Sequence, residues 1–287
     1  MENLITGVDI GGTHITVCLV DIDKSNVIAE SSSRAHIDTS LDKDSIIRSW
    51  ASVITEAHEK INRPIHKIGI AMPGPFDYEN GISLIKGLYK YESLYGLNVK
   101  ELLADELNIS PRSIKLVNDA SAYLLGEKEA GAAKEFNNIV AITLGTGLGS
   151  AAYYNGSLEE GDLYCTDFET GKCEDYASAR WLINEYEKVS GKKAPNVKQI
   201  ADLCANDKNA KIVFEKFGNN LYRILHNRYI LQSPEVVIIG GNIAKAWQHF
   251  IHSVMDAMKK AGFKFELKPA ELGEEAALIG AASLWKN

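Results

Sequence analysis

The sequence predicts an α/β protein made of two related halves, each turning a glycine loop toward a shared cleft. Three observations carry this. Residues 3–21 and 138–154 repeat one grammar: an apolar strand, a Gly/Thr turn and a second apolar strand. Strand-like apolar runs alternate along the chain with segments of helical periodicity. The chain has 287 residues, enough for one large domain or two moderate ones, and no Pro/Ser-rich linker separates the halves.

Taken in order, residues 3–10, 14–21 and 26–31 read as three short strands joined by tight turns, an antiparallel meander. Helical spacing of Ile46, Ile47, Trp50, Val53, Ile54 and Ala57 predicts a helix over about 41–62. HKIGIAMPGP is a buried strand stopped by Pro-Gly-Pro, and 76–97 is a tyrosine-rich loop. NVKELLADEL predicts a helix, SIKLV a strand and DASAYLLGEKEAGAA a helix. The second half opens with NNIVAITLGTGLGSAAYYNGSL, a strand, glycine turn, strand and Asn-Gly turn. Helices are expected near 176–190, 197–205 and 208–231, then a strand at 235–239 and helices at 243–260 and 274–285. The domain bounds implied are 1–118, completed by 274–287, and 119–273.

Composition narrows the function classes. Net charge is −7, so no basic field favours nucleic acid or an anionic membrane, and neither is expected as a partner. No stretch approaches the ~20 apolar residues that span a bilayer. No basic segment and apolar run precede the first strand, so no secretory leader is expected. The four cysteines, Cys18, Cys165, Cys173 and Cys204, are few and unpatterned, which fits reduced thiols in a cytoplasm.

Several short motifs could carry chemistry. In VDIGGTHITVCLVD, the amides of Gly11 and Gly12 are unobstructed by side chains, and such a concavity binds phosphate oxygens. The Thr13 hydroxyl adds a donor, and Asp9 stands where a carboxylate can hold a hydrated Mg²⁺. A plain hairpin with an Asp-flanked turn accounts for the same residues. This is not a P-loop, because no Gly-Lys-Ser/Thr follows and the turn leads into a strand. Gly145-Thr146-Gly147-Leu148-Gly149 is a second such turn, and two in matched settings say more than either alone. LVNDA places Asn118 and Asp119 between a strand and a helix. Capping explains them, and so does a general base, Asp119, taking a proton from a substrate hydroxyl while Asn118 binds the same substrate. Gly240 and Gly241 end an apolar strand where backbone can approach a flat ring or phosphate closely, or simply make a tight βα turn. Glu174 in CEDYASARWL suits either the first turn of a helix or a polyol hydroxyl. Cys165 and Cys173 lack the four close ligands of a zinc site, so zinc is not expected.

Taken together, these residues resemble the ROK family of sugar kinases, within the actin/hexokinase/Hsp70-like ATPase fold. The ordered set DIGGT, PGP, VNDA, LGTGLGS, EDYAS, VVIIGG and LGEEAALIGAA runs the length of the chain. The resemblance implies an α/β fold of two actin-like ATPase (ribonuclease H-like) domains with a cleft between them. It implies ATP and Mg²⁺ as cofactors, a monosaccharide substrate and a homodimer. By matching position, Asp9, Gly11, Gly12 and Thr13 fall on the first phosphate motif, Gly145, Thr146 and Gly147 on the second, and Gly240 and Gly241 on the adenosine motif. Asp119 falls on the catalytic base. Gly74 (in the PGP motif), Asn118, Asp119, Asp162 and Glu174 fall on sugar-binding positions, and Asp9 on the metal position, acting through water.

Three departures stand out. Family members commonly carry Gly-Glu-Ile-Gly-His and then a cysteine-rich zinc loop. Here the run is GDLYC, with Asp162 for the glutamate and Cys165 for the histidine. Only eight residues separate Cys165 from Glu174, so the chain resembles a zinc-less branch, as in some glucokinases that use polyphosphate. The family's sugar-binding asparagine falls near KGLYK, which has none. The expected activity is therefore ATP-dependent phosphorylation of a hexose or N-acetylhexosamine, with the preferred sugar open. The alternatives are a non-catalytic sugar sensor and a polyphosphate-dependent glucokinase. A repressor of this family carries a DNA-binding segment before the glycine motif, whereas that motif begins here at Asp9.

Overall fold

Two five-stranded sheets share one plan: three antiparallel strands followed by two parallel additions. The computed structural model describes residues 3–229, 231–263 and 265–286. In chain order the first elements are β1 (Leu4–Ile10), β2 (His14–Asp21), β3 (Asn26–His36), α1 (Lys43–Lys60) and β4 (Ile68–Met72). A small hairpin, β5 (Phe76–Asp77) and β6 (Ile82–Ser83), leads to α2 (Val99–Leu107), β7 (Ile114–Asn118) and α3 (Asp119–Ala130). Next come β8 (Asn138–Leu144), β9 (Leu148–Tyr154), β10 (Ser157–Glu160) and the hairpin β11 (Asp167–Phe168) and β12 (Gly171–Lys172). Helices α4 (Cys173–Tyr176), α5 (Ala179–Ser190), α6 (Val197–Leu203) and α7 (Lys208–Tyr229) precede β13 (Val236–Gly240). The chain closes with α8 (Ile251–Lys260), β14 (Glu266–Pro269) and α9 (Glu275–Ser283).

The first sheet has the order β3-β2-β1-β4-β7 and the second β10-β9-β8-β13-β14. The chain divides into two compact units, one running to Lys134 and resuming at Glu274, the other Glu135–Gly273. In the first unit, α1 buries Ile46, Ile47, Trp50, Val53, Ile54 and Ala57, the stripe its periodicity predicts. Asp42 caps that helix by accepting the amides of Asp44 and Ser45. In the second unit, α7 supplies Val213, Phe214, Phe217 and Leu221 to a core completed by β8, β13 and α8.

The domain boundary differs from the sequence expectation of 118/119. Helix α3 packs on α9 in the first unit, so the chain crosses between units after Lys134. The reason is small residues: a Cβ at Gly126 would lie 1.9 Å from the Ala276 carbonyl oxygen. That approach leaves α9 apolar on every side, with Ala276 to Ala282 all buried.

Four further differences have local causes. Strand β3 runs on to His36 through the Ser31–Ser33 stretch, past the predicted end at 31. There the Ser31 hydroxyl accepts the Leu19 amide at 2.8 Å and donates to the Ile28 carbonyl at 2.7 Å, patching a register shift. The predicted helix 176–190 is two, with a break at Ala177–Ser178 that brings the Ala179 amide onto Gly145. The predicted helix 243–260 is a 3₁₀ run over Asn242–His249 and then α8. The break falls at Phe250, whose buried ring meets Phe217 edge-on at 5.3 Å. Strand β14 was not expected, since Glu266 and Lys268 interrupt any apolar run; its pairing to β13 makes it a strand. The predicted helix end past Tyr229 takes in Ile230, and the domain bounds take in residues 1, 2 and 287, which lie outside the described residues.

Helix propensity favours Gly126→Ala by ~1 kcal/mol, but overpacking against backbone costs ~1–3 kcal/mol or more. The expected net is a loss of about 1–2 kcal/mol, read as a lower urea midpoint at unchanged slope. A midpoint at or above that of the parent would show that α3 and α9 have slack.

Candidate functional site

The first unit gathers two acids, a glycine turn and a capped helix start. Asp9 is the next-to-last residue of β1, paired with Thr16 on β2 and Ala71 on β4. Its carboxyl is pushed up to about 6, first by burial, then by the charges of Asp119 and Glu274, against the lowering effect of Arg34. Gly11 donates its amide to the His14 carbonyl at 2.8 Å, closing the turn. A Cβ at Gly12 would meet nothing within 4 Å, and at Gly11 only the His14 carbonyl oxygen at 3.5 Å. Neither glycine has a left-handed φ. Packing and backbone conformation therefore do not require glycine at position 12; the turn leaves open room beside its amides. The Thr13 hydroxyl is exposed, 2.9 Å from the ring of His14.

Asp119 opens α3 directly after β7. The carboxyl reaches solvent, yet the protein crowded around it raises its pKa; the Ala120 amide and the Lys90 charge act in the opposite sense. Asn118 caps α3: its Oδ1 accepts the Ala120 amide at 2.9 Å and the Ser121 amide at 3.3 Å. Its Nδ2 donates to the Tyr78 hydroxyl at 3.2 Å, which donates to the Met72 carbonyl at 3.0 Å. Capping is thus part of what Asn118 does; it takes up both lone pairs of Oδ1 and leaves one Nδ2 hydrogen to donate. Gly74 precedes a cis Pro75, and a Cβ on it would lie 3.0 Å from the Tyr78 hydroxyl.

The second unit holds the other glycine turn. Gly145 donates to the Gly147 carbonyl at 3.0 Å, and its own carbonyl accepts the first amide of α5 at 2.9 Å. A Cβ at Gly145 would meet nothing within 4 Å. At Gly147 it would lie 2.6 Å from Glu174 Oε2, the atom that accepts the Leu148 amide at 3.0 Å. Glu174 therefore braces the turn, and its other oxygen carries any further role. Asp162 is exposed and accepts from Arg228 Nε at 3.2 Å. Its own carbonyl takes the amides of Cys165 and Thr166, both at 3.0 Å. Cys165 is exposed, whereas Cys173 is buried and its thiol is pushed up to about 11, chiefly by burial. A thiol raised in this way is poorly suited to bind metal as a thiolate.

Next to Gly145 and Thr146 opens a cavity of about 530 Å³, within the range that suits a small ligand. Its wall comes from α5, α6 and the 3₁₀ run, with Asn196, Lys198, Ile243 and Lys245 among the liners. Gly240 is buried in the ladder opposite Thr143 and ends β13. Gly241 turns the chain with φ 84°, where a Cβ would lie 2.4 Å from the Leu144 carbonyl oxygen. The residues after the two glycines form the wall. Sequence reasoning missed the α6 contribution, because Asn196 reads as an ordinary cap and does accept the Gln199 amide at 2.9 Å.

A metal or nucleotide fits the residues present. The turns leave cradles that a Cβ would fill, and Asp9 is an acid burdened by acid neighbours. Among the described residues, no three of His, Cys, Asp and Glu converge as a ready-made metal site. Among the same residues no helix is long and apolar enough to cross a membrane.

Comparison with known proteins adds what geometry alone does not. A family model described as the ROK family matches residues 5–287. A glucokinase from Thermotoga maritima is 29% identical, covering 99% of this chain and 97% of its own length. A xylose repressor from Bacillus spizizenii is 24% identical, covering 97% of this chain and 76% of the repressor. A crystal structure of a ROK family glucokinase from Streptomyces griseus with glucose and AMPPNP matches at TM-score 0.78 and 21% identity. The match spans 98% of this chain and 99% of that one, and the fold is the two-domain actin-like ATPase fold.

The raised Asp9 carboxyl has a consequence for stability. A carboxyl whose pKa rises on folding favours the fold while protonated, and that contribution is lost as pH rises through about 6. Asp9→Asn cannot ionise, so it should exceed the parent in stability by about 1–2 kcal/mol at pH 7.5, with the gain shrinking toward zero near pH 4. Urea titrations at both pH values measure this; an equal gain at each would remove ionisation as the cause.

Proposed function

The chain belongs to the ROK family, and from that premise we propose that it is an ATP-dependent sugar kinase, acting on a hydroxyl of a hexose or N-acetylhexosamine. The observation that carries this reading is the sharing of one electrostatic neighbourhood by a carboxylate and an open glycine turn: the charge of Asp119 acts on Asp9, two residues before Gly11. Similarity to the Thermotoga glucokinase over nearly the whole chain supports it.

In this reading the amides of Gly11 and Gly12, the Thr13 hydroxyl and the turn Gly145–Gly147 take phosphate oxygens of ATP. The cavity beside Gly145 takes the adenosine, on a wall that follows Gly240 and Gly241. Asp9 holds Mg²⁺ through water, and the ion when bound neutralises charge on the phosphates. Gly74, Asn118, Asp162 and Glu174 bind sugar hydroxyls, Asn118 through its remaining Nδ2 hydrogen and the two acids through the carboxylate lone pairs their structural bonds leave over. Asp119 is the base. It accepts the proton of the acceptor hydroxyl as that oxygen bonds to the γ-phosphorus; the bond to the bridging oxygen breaks and ADP leaves. Asp119 must be ionised to do so, and its raised pKa sets the acid limb of the rate profile.

A second reading, a sugar-binding regulator that transfers nothing, is favoured by the similarity to the xylose repressor. One experiment separates the two. Purified protein with Mg-ATP is screened for ADP release against glucose, mannose, fructose, N-acetylglucosamine and N-acetylmannosamine, with polyphosphate run separately by product detection. Turnover of at least one sugar is expected; sugar binding with no turnover by either donor selects the regulator. Asp119→Asn should lower kcat ~10²–10⁴-fold while sugar Kd stays within about tenfold. Equal loss of turnover and of thermal stability would reduce Asp119 to a helix-start residue. Gly12→Ala should keep stability within ~0.5 kcal/mol yet weaken ATP binding about tenfold or more, since its methyl fills only space outside the chain. Unchanged nucleotide affinity by calorimetry would take the first turn out of the site.

A further inference from the structure

Asp162 is exposed, yet both its backbone and its side chain are fixed. A turn holds the backbone: the Asp162 carbonyl accepts the amides of Cys165 and Thr166, both at 3.0 Å, and the Thr166 hydroxyl at 2.8 Å. The loop that carries it is stitched beside the second glycine turn at both ends. At one end Gly161 donates to the Ser150 carbonyl at 3.0 Å and Leu163 to the Ser150 hydroxyl at 3.3 Å, one residue beyond Gly149. A Cβ at Gly161 would lie 2.0 Å from that hydroxyl, so the loop is pressed onto β9. At the other end the Cys173 amide donates to the Thr166 carbonyl at 2.9 Å, next to Glu174, which braces the turn.

The side chain has its own clamp. Arg228, in the last turn of α7, donates from Nε to Asp162 Oδ1 at 3.2 Å. The guanidinium is fixed in turn, lying 5.5 Å over the Tyr229 ring. Gln232, in the amide orientation that satisfies both of its ends, accepts from Arg228 Nη1 at 3.0 Å and donates to the Arg228 carbonyl at 2.7 Å. Asp162 and Arg228 remain 59% and 33% exposed, and an ion pair this exposed adds little to stability. The turn already holds the loop without it. What the arginine adds is a fixed direction for the carboxylate. Asp162 Oδ2 and Arg228 Nη2 take no bond from another described residue. Nη2 shares with Nε the guanidinium edge that faces Asp162, so one free acceptor and one free donor stand side by side. Their charges cancel, which suits a neutral ligand; a lone carboxylate would favour an amine.

Resting on the kinase reading above and its assignment of Asp162 to a sugar hydroxyl, we propose that Arg228 is the second half of that contact. Asp162 Oδ2 accepts from one hydroxyl of the sugar, and Arg228 Nη2 donates to the oxygen on the adjacent carbon. The substrate class selected is a neutral sugar with two neighbouring free hydroxyls. A ring lacking either one leaves a fixed polar group unpaired, and that loss is what makes the contact discriminating.

The test measures binding to the full chain by calorimetry, with glucose, mannose and N-acetylmannosamine as probes and the monodeoxy forms of whichever binds tightest. In the parent, removing either of two adjacent hydroxyls should weaken binding about tenfold or more. In Arg228→Met the sugar Kd should rise about tenfold, and the deoxy penalty at one of those two positions should shrink to within about twofold. An unchanged Kd, or penalties unchanged at every position, overturns the proposal. The urea midpoint should match that of the parent, since Cys165 and Thr166 still hold the turn. If Arg228→Met does not fold, Arg228→Lys, which keeps the charge and loses the fork, should show the same shrinking penalty. With Mg-ATP, sugar KM should rise in step with Kd while kcat stays within about threefold. A fall in kcat at unchanged KM also overturns the pairing. If the parent binds a sugar and phosphorylates none, the kinase reading fails and the deoxy series still decides the role of Arg228. If no probe binds, both fall.

Discussion

The first unit depends on how closely α9 lies on its neighbours. Glycines make that approach possible: Cβ atoms at Gly7 and Gly69 would lie 2.4 and 1.9 Å from carbonyl oxygens of α9, at Leu278 and Ala281. Gly280 brings α9 equally close to Ala122 on α3. One nine-residue helix is thus pressed against β1, β4 and α3 together. Those elements end or begin at residues of the candidate site. Asp9 lies near the end of β1, Gly74 just beyond β4, and Asp119 at the start of α3. A shift of α9 would move all three, so the chain's last helix sets the spacing of acids brought by its first half. Native-like packing density leaves little freedom for such a shift.

The second unit reaches a comparable result by polar means. Its glycine turn is held on one side by Glu174, through the Leu148 amide, and on the other by the first amide of α5. Because the chain breaks at Ala177–Ser178, α5 can start at the turn itself. The turn is therefore ordered by the protein and still leaves Gly145 open. A preorganised set of amides binds phosphate without losing entropy at the moment of binding.

Electrostatics in the first unit work against stability. Desolvation raises both Asp9 and Asp119, and the charges of Asp119 and Glu274 raise Asp9 further, so the fold tolerates charges it would be easier without. Arg34 and Lys90 offset part of this, each bearing on a different acid. In the proposed kinase reading such unfinished compensation has a use, because fully neutralised acids would have no capacity left for a metal or a proton. The backbone shows the same trade: Tyr89 and Tyr91 have left-handed φ, 56° and 54°, and are kept in place by Glu92, which accepts the Tyr89 amide, and by the Tyr91 hydroxyl on the Gly11 carbonyl.

The amino-acid sequence by itself determined the two-sheet plan, since apolar runs of period two and stripes of helical period state which faces must be buried. It also determined the ordered motifs, because DIGGT, VNDA and LGTGLGS are local patterns whose residues stay adjacent after folding. Only the tertiary structure decided what depends on partners distant in the chain. That α3 belongs with α9 rests on a Gly126–Ala276 contact across 150 residues. That β14 is a strand rests on β13, and that residues 31–36 continue β3 rests on Ser31 bonding across to β2. Asn118 and Glu174 were legible as candidates, but their capping and bracing bonds were not. The Tyr91 hydroxyl on the Gly11 carbonyl, 80 positions away, was not legible either. Periodicity records what a residue needs from solvent; which other residue satisfies that need is settled only when the chain has closed on itself.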